Sequence, residues 1–204
     1  MPATSCSGRG HGPLLQQNSR KSACNLKSLT PADMPHIKSF PPIANATATI
    51  LILGSMPGKE SLRAGQYYAH PRNAFWTILG ELTGASPSLP YEARARMLKS
   101  SGIALWDVLA SCTRHSSLDA DIDPDSIHPN DFTAFFETHP LITQVFFNGT
   151  MAEQCFRKHV LPQLTRRPLR LQRMPSTSPA NASLRYEQKL QAWQTILADS
   201  LSGT

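Results

Sequence analysis

Two amides stand where chemistry is easiest to place in this chain. Asn73 closes the stretch "YYAHPRN" just ahead of a helical pattern, and Asn148 ends an apolar run directly before Gly149. An amide donates through N–H2 and accepts through its oxygen, so either side chain could orient a water or read the edge of a polar ring. Tyr67, Tyr68, His70 and Arg72 crowd around Asn73. Aromatic rings beside amides suit a pocket that stacks a planar base and hydrogen-bonds its edge. Phe75 and Trp76 follow; both fit the core face of the coming helix, the assignment adopted for Trp76, while Phe75 could also stack on a ligand. His70 could donate to a leaving group or stand near a phosphate, or could be a hydrogen-bonded structural histidine. Asn148 has its own alternative as the cap of a helix starting near Thr150.

Two further stretches have the composition of binding loops. "GSMPG" (Gly54, Ser55, Met56, Pro57, Gly58) follows an apolar strand pattern, and its glycines and proline would bring bare backbone close to a ligand or simply make a tight turn. A phosphate-binding G-x-x-x-x-G-K-[ST] loop would need glycine at Leu53 and a hydroxyl residue at Glu60, and both are absent. The G-x-S-x-G elbow also fails, since Ser55 directly follows the first glycine. "PSTSPAN" carries Ser176, Thr177, Ser178, Pro179, Ala180 and Asn181 between a basic strand and the last helix. Its hydroxyls and N–H groups could hold a phosphate, or they could cap the helix. Asp107 lies within an apolar run, where a carboxylate is costly unless it is paired or lines a cavity. Arg114 and Asp119, in "ASCTRHSSLDADI", are expected to brace their loop.

The elements that must position these groups are legible from periodicity. Four short apolar runs, Ala48 to Gly54, Gly102 to Ala110, Thr143 to Gly149 and Arg170 to Ser176, alternate with helical patterns. That alternation predicts an α/β fold, a three-layer α/β/α sandwich with a short, mainly parallel four-stranded central sheet. Ligands of such folds sit beyond the carboxyl ends of the strands, and the stretches quoted above fall there. The prolines of "SFPPI" (Ser39 to Ile43) predict an extended lead-in.

The chain has 204 residues, enough for one domain with a real core: 36–204, preceded by a disordered basic tail over 1–35. That tail also reads as an organelle transit peptide or as an extension ahead of a start near Met34. A net charge of +6 favours a polyanionic partner. Arg157, Lys158, Arg166, Arg167, Arg170 and Arg173 could add sequence-independent affinity or be a solvated face. Four scattered cysteines, without C-x-x-C spacing, argue against a metal site or a disulfide framework. No cofactor and no metal are expected. No apolar run approaches the length of a membrane helix and no secretory signal is evident, so a soluble intracellular protein is expected.

Taken in order, "GSMPG", "YYAHPRNAFW" and "PSTSPAN" resemble the uracil-DNA glycosylase superfamily, most of all its hypoxanthine-DNA (deoxyinosine) glycosylase branch, over roughly Ser39 to Leu197. The resemblance implies a monofunctional base-excision repair enzyme that flips a deaminated base, hypoxanthine first and uracil second, and hydrolyses its N-glycosidic bond. Its partner would be double- or single-stranded DNA. It would act as a monomer in the bacterial cytoplasm at the nucleoid, or in a eukaryotic nucleus or organelle. In that branch an asparagine at this position is implicated in catalysis, which carries over onto Asn73. The resemblance also places Asn148 in the pocket as a second catalytic amide. It makes Gly54 to Gly58, Tyr68, Phe75 and Asp107 the base pocket. His70, Arg72 and Ser176 to Asn181 become the DNA contacts, with Pro179 and Ala180 filling the vacated stack. The chain departs from the uracil-specific branch, which has an aspartate in the first motif, and from the mismatch branch, which has asparagine where Ser55 stands. Lys59 is the only lysine near these motifs, so Schiff-base strand cleavage is not expected. Two other classes fit less well: a silent nucleic-acid binder of the same fold, and an α/β hydrolase of a small substrate.

Overall fold

The computed structural model describes residues 35–164 and 168–198. The expected tail, all but Pro35, lies outside the described residues, as do Arg166 and Arg167 of the basic set. The chain runs β1 (His36–Lys38), β2 (Ile50–Gly54), α1 (Lys59–Ala64), α2 (Phe75–Thr83), α3 (Tyr91–Ser100), β3 (Ile103–Asp107) and β4 (Leu109–Thr113). It continues through β5 (His128–Pro129), α4 (Phe132–Thr138), β6 (Gln144–Asn148), α5 (Thr150–Cys155), β7 (Arg170–Met174), α6 (Tyr186–Trp193) and α7 (Thr195–Ala198).

Four strands make one parallel sheet in the order β3-β2-β6-β7, with helices around it. This is the expected three-layer architecture. β2 and β3 are buried along their whole length, as strands covered on both faces must be, and both read as unbroken apolar runs up to their last residue. β7 is an edge strand and the least buried of the four: Arg170 and Arg173 are exposed, Leu171 and Gln172 half-buried, and Met174 buried. The core is aromatic. Trp106 packs against Phe132 and Phe135 with ring centroids 5.1 and 4.9 Å apart, and Phe75 meets Trp76 and Trp193 edge-on at 5.1 and 6.0 Å.

The structure refines the expected elements at three places. The run Gly102 to Ala110 is two strands rather than one. Val108 and Leu109 donate to the carbonyls of Gly54 and Ser55 at 2.8 and 3.2 Å, and β4 then turns away into a small antiparallel sheet, β1-β4-β5. A six-residue helix, α1, stands between "GSMPG" and the tyrosines, where no helix was expected; it ends at Gly65 in the left-handed region. The long pattern after Asn148 is composite: α5 passes into a π-helical turn at Phe156–Val160 and a 3-10 turn at Leu161–Gln163.

Candidate active site

Gly54 ends β2 directly beside Asp107, its register partner at the end of β3. A Cβ built on Gly54 would lie 2.4 Å from Asp107 Oδ1 and 2.9 Å from the Tyr68 hydroxyl, so only glycine lets both groups come this close. The three residues form one end of a cavity of about 410 Å3, which Ser55, Met56, Pro57 and Gly58 also line. Asp107 is 3 % exposed, and neither its Oδ2 nor the Tyr68 hydroxyl has a hydrogen-bond partner among the described residues. Burial above all, then the charge of Asp119, pushes the Asp107 carboxyl up to about 8, with Arg114 acting in the opposite sense. Burial, and after it Asp107, pushes the Tyr68 phenol up as well, with the nearby Asn148 amide acting in the opposite sense. Near neutral pH the floor therefore offers two protonated oxygens, each able to donate or accept.

Tyr68 reaches this position through an unusual backbone. Among the described residues it is the non-glycine residue with positive φ, 53°. Tyr67 anchors it: its hydroxyl donates to the Phe40 and Pro41 carbonyls at 3.1 and 3.2 Å, and its own carbonyl accepts from Trp76 Nε1 at 2.7 Å. The extended "SFPPI" segment thus serves as the strut for the tyrosine pair. The Tyr68 ring stacks on Phe75 with centroids 4.0 Å apart and an interplanar angle of 23°. Phe75 itself is 0 % exposed and does not line the cavity, which corrects its assignment to the base pocket. It supports Tyr68 from behind.

Asn73 and His70 line the same cavity. Asn73 Oδ1 accepts the Phe75 N–H at 3.0 Å, which fixes the amide orientation and leaves N–H2 as the group available to a ligand. His70 Nδ1 accepts the Arg72 N–H at 3.1 Å, so in the neutral ring Nε2 carries the proton. Arg72 is exposed and lies outside the cavity.

Asn148 also lines the cavity, but both ends of its amide serve the facing loop. Its Oδ1 accepts the Thr177 N–H at 2.8 Å, and its Nδ2 donates to Thr177 Oγ1 at 2.9 Å. Asn148 is thus a clamp on the facing loop that keeps its second Nδ2 hydrogen toward the cavity. Thr177 is 1 % exposed, and its carbonyl accepts the Ala74 N–H at 3.1 Å, so it is corrected from a DNA contact to a structural tie. Ser176, Ser178, Pro179 and Ala180 do line the cavity. Asn181 lines only the adjoining cavity, of about 690 Å3; its Nδ2 donates to the Ser176 carbonyl at 3.0 Å, and its carbonyl accepts from Lys189 Nζ at 2.7 Å. Gly149, with φ of 100°, lets Ser176 approach, since a Cβ there would lie 3.0 Å from the serine Cβ.

Sequence reasoning set aside one segment that the fold brings to the site. Ser117, Leu118 and Asp119, from the loop after β4, line both cavities. Ser55 Oγ donates to Asp119 Oδ1 at 2.7 Å across 64 residues of chain, a separation no local pattern reveals. Arg114 is 2 % exposed; its guanidinium donates to the Pro57 carbonyl and stands 3.9 Å from Asp119 Oδ1. It braces "GSMPG" as well as standing near Asp119 of its own loop, which was the expected role. Lys59 is exposed at the cavity rim, its N–H bonded to Ser117 Oγ at 3.0 Å. The basic set is weaker than its composition suggests, because Arg157 and Arg173 both pair with Glu153, at 3.0 and 3.5 Å.

Comparison with known proteins agrees with this architecture. The family model described as "Uracil DNA glycosylase superfamily" matches residues 41–199. A hypoxanthine DNA glycosylase of Methanosarcina acetivorans is 32 % identical over 160 residues, 78 % of this chain and 96 % of that protein. One from Methanosarcina barkeri is 40 % identical over 113 residues, 55 % of this chain and 70 % of its relative. A solution structure from Methanosarcina acetivorans, described as a candidate uracil DNA glycosylase, matches with a TM-score of 0.64 and 30 % identity over 79 % of this chain and 98 % of its own. Since that family model spans residues 41–199 and the Methanosarcina acetivorans relative is matched over 96 % of its length, the chain belongs to the uracil DNA glycosylase superfamily.

Proposed function

We propose that this DNA glycosylase excises deaminated bases, hypoxanthine first and uracil second, as a monofunctional and monomeric enzyme. On this reading 36–204 is the catalytic unit, 1–35 is an appended tail, and the enzyme works wherever the genome lies: a bacterial cytoplasm, or a nucleus or organelle. The observation that carries the reading is the pair of buried, unpartnered oxygens, Asp107 Oδ2 and Tyr68 Oη, at the floor of a cavity beyond the strand ends. A buried polar atom without a partner is costly unless a ligand completes it. Hypoxanthine and uracil both present adjacent carbonyl and N–H groups, which two protonated oxygens can meet. The names of the Methanosarcina relatives favour hypoxanthine. They also disfavour a silent binder.

In the flipped state the base enters between Tyr68 and "GSMPG". Leaving-group departure puts negative charge on the base and positive charge on the sugar. The Asp107 and Tyr68 hydroxyls and the Asn73 N–H2 supply donors for the first of these. The hydroxyls of Ser176 and Ser178 face the phosphates on a loop held in place by Asn148 and Lys189. Leu118, 51 % exposed at the mouth, presents an apolar side chain where the duplex must part. Flipping costs less for a weakly paired base, which itself contributes selectivity.

The test is single-turnover excision from duplexes carrying one hypoxanthine, uracil, xanthine or mismatched thymine, with alkali added only to reveal abasic sites. Hypoxanthine is expected to be cleaved fastest, without strand scission before alkali. Equal inertness toward all four, with duplex binding intact, would overturn the reading.

A further inference from the structure

We propose that Asp119 is a catalytic residue of this site: its carboxylate, held by the Ser55 hydroxyl, binds and deprotonates the water that attacks C1′ of the flipped nucleotide. The inference rests on the glycosylase reading above and adds the proton acceptor which that reading lacks.

Position is the first argument. Asp119 stands on the wall shared by the two cavities, together with Leu118, Ser176 and Ser178. A base lodged against Asp107 and Tyr68 in the smaller cavity leaves its sugar at this junction, because the phosphates must run outside. A group on the shared wall is therefore nearer C1′ than a group on the floor. The larger cavity also supplies a route for water to the same carboxylate.

The second argument is bonding. Ser55 Oγ occupies Asp119 Oδ1 at 2.7 Å, while no described residue bonds Oδ2. The side chain is 42 % exposed, so Oδ2 is open to a water. Arg114, buried and 3.9 Å from Oδ1, favours the ionised form. A fixed carboxylate at the junction would also stabilise the positive charge that develops on the sugar.

Elimination is the third. Asn73 cannot accept a proton, His70 Nδ1 is taken by the Arg72 N–H, and Glu60 is paired with Arg63 at 2.8 Å. Asp107 lies too deep and is already protonated near neutral pH. The step balances without another reactant. The C1′–N bond breaks with its electron pair passing to the base, water oxygen forms the new bond to C1′, and the water proton passes to Asp119 Oδ2. The base takes a proton from a floor donor, solvent returns a proton to that donor, and Asp119 releases its own to solvent.

The groups facing Asp119 are Ser55 after β2, Asp107 at the end of β3, Cys112 on β4, Arg114 after β4, Cys155 at the end of α5, and Tyr68. Burial raises the Asp119 carboxyl, whereas the Ser55 hydrogen bond and the Arg114 charge lower it. The rate should therefore fall on the acid side as Asp119 protonates. The experiment is single-turnover excision of hypoxanthine by the full chain from about pH 5 to 9, for wild type, Asp119→Asn and Ser55→Ala, with duplex affinity from anisotropy and folding from circular dichroism. Asp119→Asn is expected to lose about 100-fold or more in rate, keep its duplex affinity within about threefold, and lose the acidic limb. Ser55→Ala keeps the carboxylate without its hydrogen bond, so its acidic limb should move to higher pH, a readout that survives should the asparagine variant misfold. A folded Asp119→Asn within about threefold of wild type, or a Ser55→Ala limb that does not move, would overturn the proposal and leave the glycosylase reading standing. An inert wild type would overturn both.

Discussion

The floor of the cavity and the loop that faces it use polar groups in opposite ways. On the loop every polar side chain that bears on its shape is tied: Asn148 holds Thr177 twice, Asn181 holds the Ser176 carbonyl, Lys189 holds the Asn181 carbonyl, and Trp193 Nε1 holds the Pro175 carbonyl at 3.0 Å. At the floor, Asp107 Oδ2 and Tyr68 Oη are buried and unmatched. The loop is a wall whose rigidity is provided in advance, while the floor keeps hydrogen-bonding capacity in reserve for a ligand. Substrate-directed groups are thus recognisable by what they lack.

The contrast can be broken most severely at Gly54. Gly54→Ala places a methyl group against both floor oxygens, and hypoxanthine excision should fall by about 10³-fold or more while duplex binding through the wall persists. Single-turnover rates beside anisotropy would separate these effects. Asn73→Ala removes one donor without obstructing the floor, and a loss of about 10² to 10³-fold in rate is expected at unchanged affinity. On the wall side, Asn148→Ala strands the Thr177 N–H and hydroxyl. A stability loss of about 1–3 kcal/mol should appear in urea melts, with weaker duplex binding.

Asp107 sharpens the comparison through pH. Its carboxyl is raised in the folded protein, so its contribution to stability is fully present below the unfolded pKa and is lost as pH rises through about 8. Each unit of that shift is worth about 1.4 kcal/mol, and wild-type stability should decline across this window. Asp107→Asn should flatten the decline, and melts at several pH values decide it; a wild type equally stable throughout would show the carboxyl to be ordinary. The smallest effect belongs to Ser178→Ala, whose hydroxyl accepts the exposed Ala180 N–H at 3.2 Å and otherwise acts toward phosphate on the proposed reading: excision should change less than about threefold, with a slightly shallower salt dependence of binding.

Much of this was legible beforehand, for reasons that lie in the residues themselves. "ILILG" and "IALWD" are apolar throughout because both faces of a central parallel strand are covered, so sheet and strand ends could be read together. "GSMPG" and Asn73 were legible because special turn chemistry needs special residues. Phe75 was misplaced because an aromatic at the start of a helix serves equally as a ligand platform or as the backing of one, and only the 4.0 Å stack on Tyr68 decides. Thr177 looked like its neighbours Ser176 and Ser178, yet its side chain turns inward to Asn148.

The sequence by itself determined the alternation of strands and helices, the order of the three motifs, and hence the end of the sheet at which the site had to lie, since periodicity and turn residues act locally along the chain. Tertiary structure alone decided which polar groups were tied and which were left open. The pairing of Ser55 with Asp119, the seat of Arg114 beneath Pro57 and the burial of Asp107 all join residues far apart in the chain, and whether a carboxyl is paired, buried or free depends on its neighbours in space.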